Sequence, residues 1–109
     1  FKDNVKDIRN TRVIDIYNEL KEYGVEPYVH DPHASHDDVS AEYGIKLIQT
    51  PEEKYPFDGI IIAVKHREYA DYSMEYLKGL CNSNASLIDV KGIYQKDEAL
   101  KAGLNYWRL

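Results

Sequence analysis

One run of residues limits the fold more than any other. Residues 58–64, Asp-Gly-Ile-Ile-Ile-Ala-Val, put five apolar side chains in unbroken succession. A strand with one wet face alternates apolar and polar positions, so an unbroken run reads as a strand buried on both faces. That environment belongs to a parallel sheet. Residues 85–90, Ala-Ser-Leu-Ile-Asp-Val, read as a second strand of the same kind. Parallel neighbours need a crossover between them, and the intervening residues supply a helical stripe of Tyr69, Tyr72, Ser73, Tyr76, Leu77 and Leu80.

The rest of the chain follows this alternation. Val13, Ile16, Tyr17 and Leu20 recur at helical spacing within residues 9–23, and Gly24 supplies a stop. Residues 25–32 form a short extended run closed by Pro32. Residues 37–43 suit a short helix, with Ser35 or His36 near its start and Gly44 after it. Residues 45–48 read as a brief strand, 49–56 as a polar connection, 97–102 as a short helix and 104–109 as a final strand. Strands alternating with helices define an α/β class: a Rossmann-like, doubly wound, mainly parallel sheet with helices on both faces. The first helix has no strand before it, although such a unit opens with one. Phe1 and Lys2 read as the stump of a truncated opening strand.

The chain has 109 residues, enough for a single domain, and 43% of them are hydrophobic against 30% charged, as in an ordinary globular protein. The net charge of -5, with Lys and Arg dispersed, argues against a nucleic-acid partner and leaves a small anionic ligand open. Cys81 is the only cysteine, so neither an intrachain disulfide nor a multi-cysteine metal site can form. No apolar stretch approaches the ~20 residues that span a bilayer, so no membrane role is expected. The Phe1-Lys2-Asp3-Asn4 opening resembles no leader and lacks Met. It is read as the start of a piece of a longer, cytoplasmic chain.

Ligands of such folds sit at the carboxyl ends of the strands. Lys2, Arg9 and Lys91 all fall at such ends and could converge on a diphosphate, although their spacing equally fits solvated surface cations. Residues 4–11 contain no glycine, so the fingerprint of a dinucleotide site is missing, and Asp31-Pro32 reads as a turn. His30, Asp31, His33, His36, Asp37 and Asp38 match no standard zinc spacing, so no metal is expected. Cys81 stands away from the rim; His66, at the other end of the second clear helix, is the nearest loop histidine to that rim. Cys81 is therefore read as structural, and the ten tyrosines as mostly core.

Residues 1–12, Phe-Lys-Asp-Asn-Val-Lys-Asp-Ile-Arg-Asn-Thr-Arg, resemble the start of the C-terminal domain of the UDP-glucose/GDP-mannose dehydrogenase family. Tyr23-Gly24-Val25, Asp31-Pro32, Tyr43-Gly44-Ile45, residues 58–64, Asp89-Val90-Lys91-Gly92 and Tyr106-Trp107-Arg108-Leu109 agree in order, so the resemblance covers essentially the whole chain. It implies a nucleotide-sugar-binding domain spanning residues 1–109 of a longer enzyme. That enzyme would oxidise the C6 hydroxyl of a UDP-sugar to a carboxylate with NAD, which is held mainly by another domain. The resemblance assigns Phe1, Lys2 and Lys91 to the substrate and Arg9 to NAD. It assigns no catalytic residue to this chain: the family's nucleophilic cysteine belongs to a central region, and Cys81 does not match it.

Asp7-Ile8-Arg9-Asn10-Thr11 is closest to the branch acting on UDP-N-acetylhexosamines, which supplies uronates for capsule and O-antigen. UDP-glucose or GDP-mannose substrates, a non-catalytic nucleotide-binding module and a purely structural domain remain alternatives. The resemblance implies a homodimer or higher homo-oligomer for the longer protein. Residues 1–109 by themselves are expected to be inactive, and a monomer or weak dimer.

Overall fold

The computed structural model describes residues 12–108. The chain divides into two compact units, Phe1–Glu53 and Lys54–Leu109.

The first described element of the first unit is helix α1 (Arg12–Glu22). Its predicted stop takes a specific form. Gly24 sits in the left-handed region at φ 81°, its N–H donates to the Lys21 carbonyl at 3.0 Å, and the Val25 N–H reaches back to Leu20 at 3.0 Å. These are the two bonds of a Schellman ending, which satisfies the orphan carbonyls of the last turn. Helix α2 (His36–Tyr43) is capped by Ser35, whose hydroxyl accepts the Asp38 N–H at 3.2 Å, and it ends at Gly44. Asp37 and Asp38 occupy its first turn, where the helix dipole favours negative charge.

Two segments read as strands behave differently. Residues 25–32 and 45–48 form no regular strand, although the Ile48 N–H donates to the Val29 carbonyl at 2.9 Å. Pro27 and Pro32 remove two donors from the first segment, which weakens any ladder along it. Asp31 then turns the chain. Its buried carboxylate accepts the N–H groups of His33 at 2.8 Å and Ala34 at 2.9 Å.

The second unit holds the sheet. Strands β1 (Phe57–Ile62), β2 (Cys81–Asp89) and β3 (Asn105–Arg108) run parallel in the order β1-β2-β3. Ile60 pairs with Leu87, and Leu87 with Tyr106. The central strand carries the core residues Ala85 and Leu87, packed with Ile62, Tyr69, Met74, Leu77, Tyr94, Ala99 and Leu104. The parallel α/β class read from the apolar runs is therefore borne out. β2 begins four residues earlier than its apolar pattern: between Phe57↔Cys81 and Gly59↔Ser86 the register slips, and Asn84 takes a left-handed φ of 63°. Asn tolerates that conformation better than most residues, so the irregularity falls at a polar stretch that apolar patterning cannot detect.

The crossover between β1 and β2 is not one helix. A 3₁₀ turn (Arg67–Asp71) is followed by a separate helix, α3 (Met74–Gly79). Ser73 causes the break. Its backbone is extended, and its hydroxyl accepts the Tyr76 N–H at 3.0 Å, so it starts a new helix instead of continuing an old one. The aromatic stripe survives, with neighbouring ring centroids 5.4 Å apart for His66–Tyr69, 5.6 Å for Tyr69–Tyr72 and 5.0 Å for Tyr72–Tyr76. Helix α4 (Lys96–Lys101) buries Ala99 and leads back into β3. Among the described residues, no helix is long and apolar enough to cross a membrane. Replacing Ser73 by Ala removes the α3 cap, and urea denaturation should show a loss of about 1 kcal/mol.

Candidate functional site

Because the three strands are parallel, their carboxyl ends lie along one edge of the sheet. The register places Ile62, Asp89 and Arg108 in a row there. Each strand also delivers a cation at or just beyond this edge: Lys65 after β1, Lys91 after β2 and Arg108 at the end of β3. All three residues are exposed.

The turn after β2 is built around one carboxylate. Asp89 is 0% exposed. One oxygen accepts the Ile93 N–H at 3.1 Å; the other accepts the Tyr94 N–H at 2.8 Å and the Tyr106 hydroxyl at 2.6 Å. The Gly92 N–H closes on the Asp89 carbonyl at 3.3 Å. Burial pushes the Asp89 carboxyl up, but the bonds from Tyr106, Tyr94, Ile93 and Gly92 outweigh it and hold the group below its ordinary value of 3.8. Chain 90–94 is thus wrapped over its own carboxylate, with Lys91 exposed on the turn.

Gly92 is required at this place. Its φ is 69°, and a Cβ there would stand 3.2 Å from Arg108 Nε. Arg108 lies across the turn, Nη2 donating to the Tyr94 carbonyl at 2.6 Å and Nε to the Tyr106 hydroxyl at 3.2 Å. The Tyr94 hydroxyl ties the same turn to the aromatic stripe, sharing its proton between the carbonyls of Tyr72 at 2.9 Å and Tyr69 at 3.1 Å. Burial, then the nearby Asp89 charge, pushes this phenol up to about 12, so it stays protonated.

The residues expected in the site fare differently. Lys91 stands on the rim as expected. Phe1, Lys2 and Arg9 lie outside the described residues. His66 is buried at the start of the 3₁₀ turn, its ring tilted toward Tyr69, instead of standing open on the rim. Cys81 begins β2, at the opposite end from the rim. Its thiol donates to the Leu77 carbonyl at 3.3 Å, and burial pushes its pKa up, which is the setting of a structural thiol. Half-burial lowers the pKa of His30, against the nearby charges of Asp31 and Glu52. Among the described residues, no group of three or more His, Cys, Asp or Glu is placed to hold a metal.

The spacing argument missed Asp89, Tyr94, Tyr106 and Arg108. The signal available was the pair of segments Asp89-Val90-Lys91-Gly92 and Tyr106-Trp107-Arg108, which only pairing in the sheet brings together.

Residues 63–66 contain no glycine, and the space above Gly92 is taken by Arg108. The described second unit is thus a parallel α/β sheet with exposed cations along its carboxyl edge. Residues 1–96 match the UDP-glucose/GDP-mannose dehydrogenase family, UDP binding domain, and the chain belongs to that family.

Its relatives include the UDP-N-acetyl-D-glucosamine 6-dehydrogenase of Pseudomonas aeruginosa, 39% identical over 99 residues, which cover 91% of this chain and 23% of that protein. Protein CapL of Staphylococcus aureus is 38% identical over 109 residues, covering 100% of this chain and 25% of CapL. The chain therefore spans about a quarter of the length of these relatives. The crystal structure of an NDP-N-acetyl-D-galactosaminuronic acid dehydrogenase from Methanosarcina mazei Go1 has the same fold, with a TM-score of 0.86, 22% identity, and coverage of 99% of this chain and 22% of that one.

The depressed Asp89 pKa ties stability to pH. The unfolded carboxyl binds protons more readily, so the contribution is present above the unfolded value and is lost as pH falls through the folded one. Asp89→Asn should therefore be clearly less stable than the parent near pH 6, and the gap in urea midpoint should narrow by about pH 3.

Proposed function

We propose that this chain is the substrate-holding domain of a longer NAD-dependent nucleotide-sugar 6-dehydrogenase, which oxidises the C6 hydroxyl of a UDP-N-acetylhexosamine to a carboxylate. The observation that carries this reading is the exposed Lys91 on a turn braced by a buried carboxylate, at the edge where parallel α/β folds take their ligands. A diphosphate needs cations whose positions are set before it arrives, and Lys91 meets that need as a point charge. Lys65 adds positive potential along the same edge.

The relatives support the substrate class. The Pseudomonas aeruginosa protein, and one from Salmonella typhi that is 32% identical over 99 residues, are UDP-N-acetyl-D-glucosamine 6-dehydrogenases. The Rhizobium meliloti UDP-glucose 6-dehydrogenase is 26% identical over 107 residues. Phe1 and Lys2 complete the substrate contact in this reading, and Arg9 reaches NAD bound to another part of the longer chain. NAD+ supplies the hydride acceptor for the oxidation. Cys81, half-buried and bonded to a carbonyl, is not the nucleophile, so these residues alone bind without turning over. The longer protein works in the cytoplasm as a homodimer or higher homo-oligomer, and its uronate product feeds a surface polysaccharide such as capsule or O-antigen.

Titration of the isotope-labelled chain with UDP, GDP and NAD+ separately tests the reading. UDP should shift the amides around Lys91 selectively, and Lys91→Ala should weaken UDP by roughly tenfold, the worth of one hydrogen bond to a charged group. Equal responses to GDP, or an unaltered UDP affinity in the variant, would sink it.

A further inference from the structure

We propose that Arg108 is a positioning residue for the nucleotide-binding turn, clamping chain 90–94 so that Lys91 is presented at a set place on the rim. The proposal rests on the reading of Lys91 as a nucleotide contact, and it adds a residue that touches the turn rather than the ligand.

Arg108 is exposed at the end of an edge strand, where a side chain ordinarily has little to hold it. Its guanidinium is nonetheless engaged on two sides, donating to the Tyr94 carbonyl at 2.6 Å and to the Tyr106 hydroxyl at 3.2 Å. The group stands 5.8 Å from the Tyr106 ring centroid, within cation–π range. Beneath it the chain is reduced to Gly92, where a Cβ would come within 3.2 Å of Nε. From the inner side, Asp89 holds the Ile93 and Tyr94 amides. The turn is therefore held by a buried anion and by a surface cation, and Lys91, exposed, lies on the same turn.

Tyr106 links Asp89 and Arg108. Its hydroxyl has one proton, and the 2.6 Å contact directs it to Asp89. The hydroxyl oxygen is then free to accept from Arg108 Nε. Arg108 thus favours the orientation in which the hydroxyl feeds the carboxylate instead of the competing Tyr94 carbonyl at 3.0 Å. The planar fork meets both acceptors, which lie 3.0 Å apart, at fixed angles. A lysine ammonium has three donors and could reach both, but its flexible stem would hold the turn less rigidly. The benefit to binding is preorganisation: a flexible lysine on a loose turn loses backbone freedom as well as rotamers when a ligand arrives.

The test uses the full chain with Arg108→Met and Arg108→Lys, each with and without Lys91→Ala. Amide exchange at Ile93 and Tyr94 is followed without ligand, and UDP affinity is followed by titration. Arg108→Met should speed exchange at both amides. It should also weaken UDP roughly fivefold, about the worth of one hydrogen bond. In the Lys91→Ala background the same change should cost nothing further, because the two residues act through one contact. Arg108→Lys should recover each property only in part.

Unchanged exchange in Arg108→Met, with the Lys91→Ala effect intact, would overturn the clamp alone. So would full recovery by lysine, or an equal loss in both backgrounds, which would make Arg108 an independent ligand contact. If Lys91→Ala leaves UDP binding intact, the nucleotide reading of this rim falls, and the binding purpose of the clamp falls with it.

Discussion

A carboxylate with no exposed surface organises the second unit. Taking Asp89 out of water costs several kcal/mol unless its lone pairs are answered, because an ion in a low-dielectric interior loses its hydration. Here they are answered by the Ile93 and Tyr94 amides and the Tyr106 hydroxyl, while the Asp89 carbonyl takes the Gly92 N–H. Those donors come from the turn that follows β2 and from the neighbouring strand β3. One anion therefore shapes the turn and ties it to the edge strand. Satisfied networks of this kind specify a single arrangement, since removing any donor leaves a buried acceptor short.

The site inherits its geometry from that network. Lys91 needs no partner of its own, because the backbone beneath it is held by Asp89 within and Arg108 without. The same turn reaches back to the crossover through the Tyr94 hydroxyl, which engages the carbonyls of Tyr69 and Tyr72. These carbonyls belong to the 3₁₀ turn and its exit, and the Tyr69 carbonyl also accepts the Tyr72 N–H at 3.1 Å. The broken crossover and the turn after β2 are thus physically connected.

Patterning made much of the second unit legible, and the reason is burial. An apolar run such as residues 58–64 has few ways to avoid water, so β1 and the centre of β2 could be read from composition and periodicity alone. Helix stops were legible too, because Gly24 and Gly44 provide the left-handed backbone at which both helices end. Less legible were features that depend on a single polar atom. Ser73 lies on the apolar stripe by spacing, yet its hydroxyl caps a helix. The segments 25–32 and 45–48 carry strand-like residues, but Pro27 and Pro32 remove donors from the first, and no regular strand forms. Spacing placed Lys91 just past a strand without separating a ligand contact from a surface cation, whereas Arg108 looked like the polar end of a final strand.

The amino-acid sequence by itself determined the class: parallel strands, crossovers between them, and a cation just past the end of the central described strand. It also carried the family resemblance, because motif order is a property of the chain. The tertiary structure decided what Asp89, Tyr94, Tyr106 and Arg108 do. Asp89 and Arg108 are nineteen positions apart and become neighbours only when β2 and β3 pair in register. Hydrogen bonds act over about 3 Å, so polar partners cannot be assigned until the fold has set the distances between them.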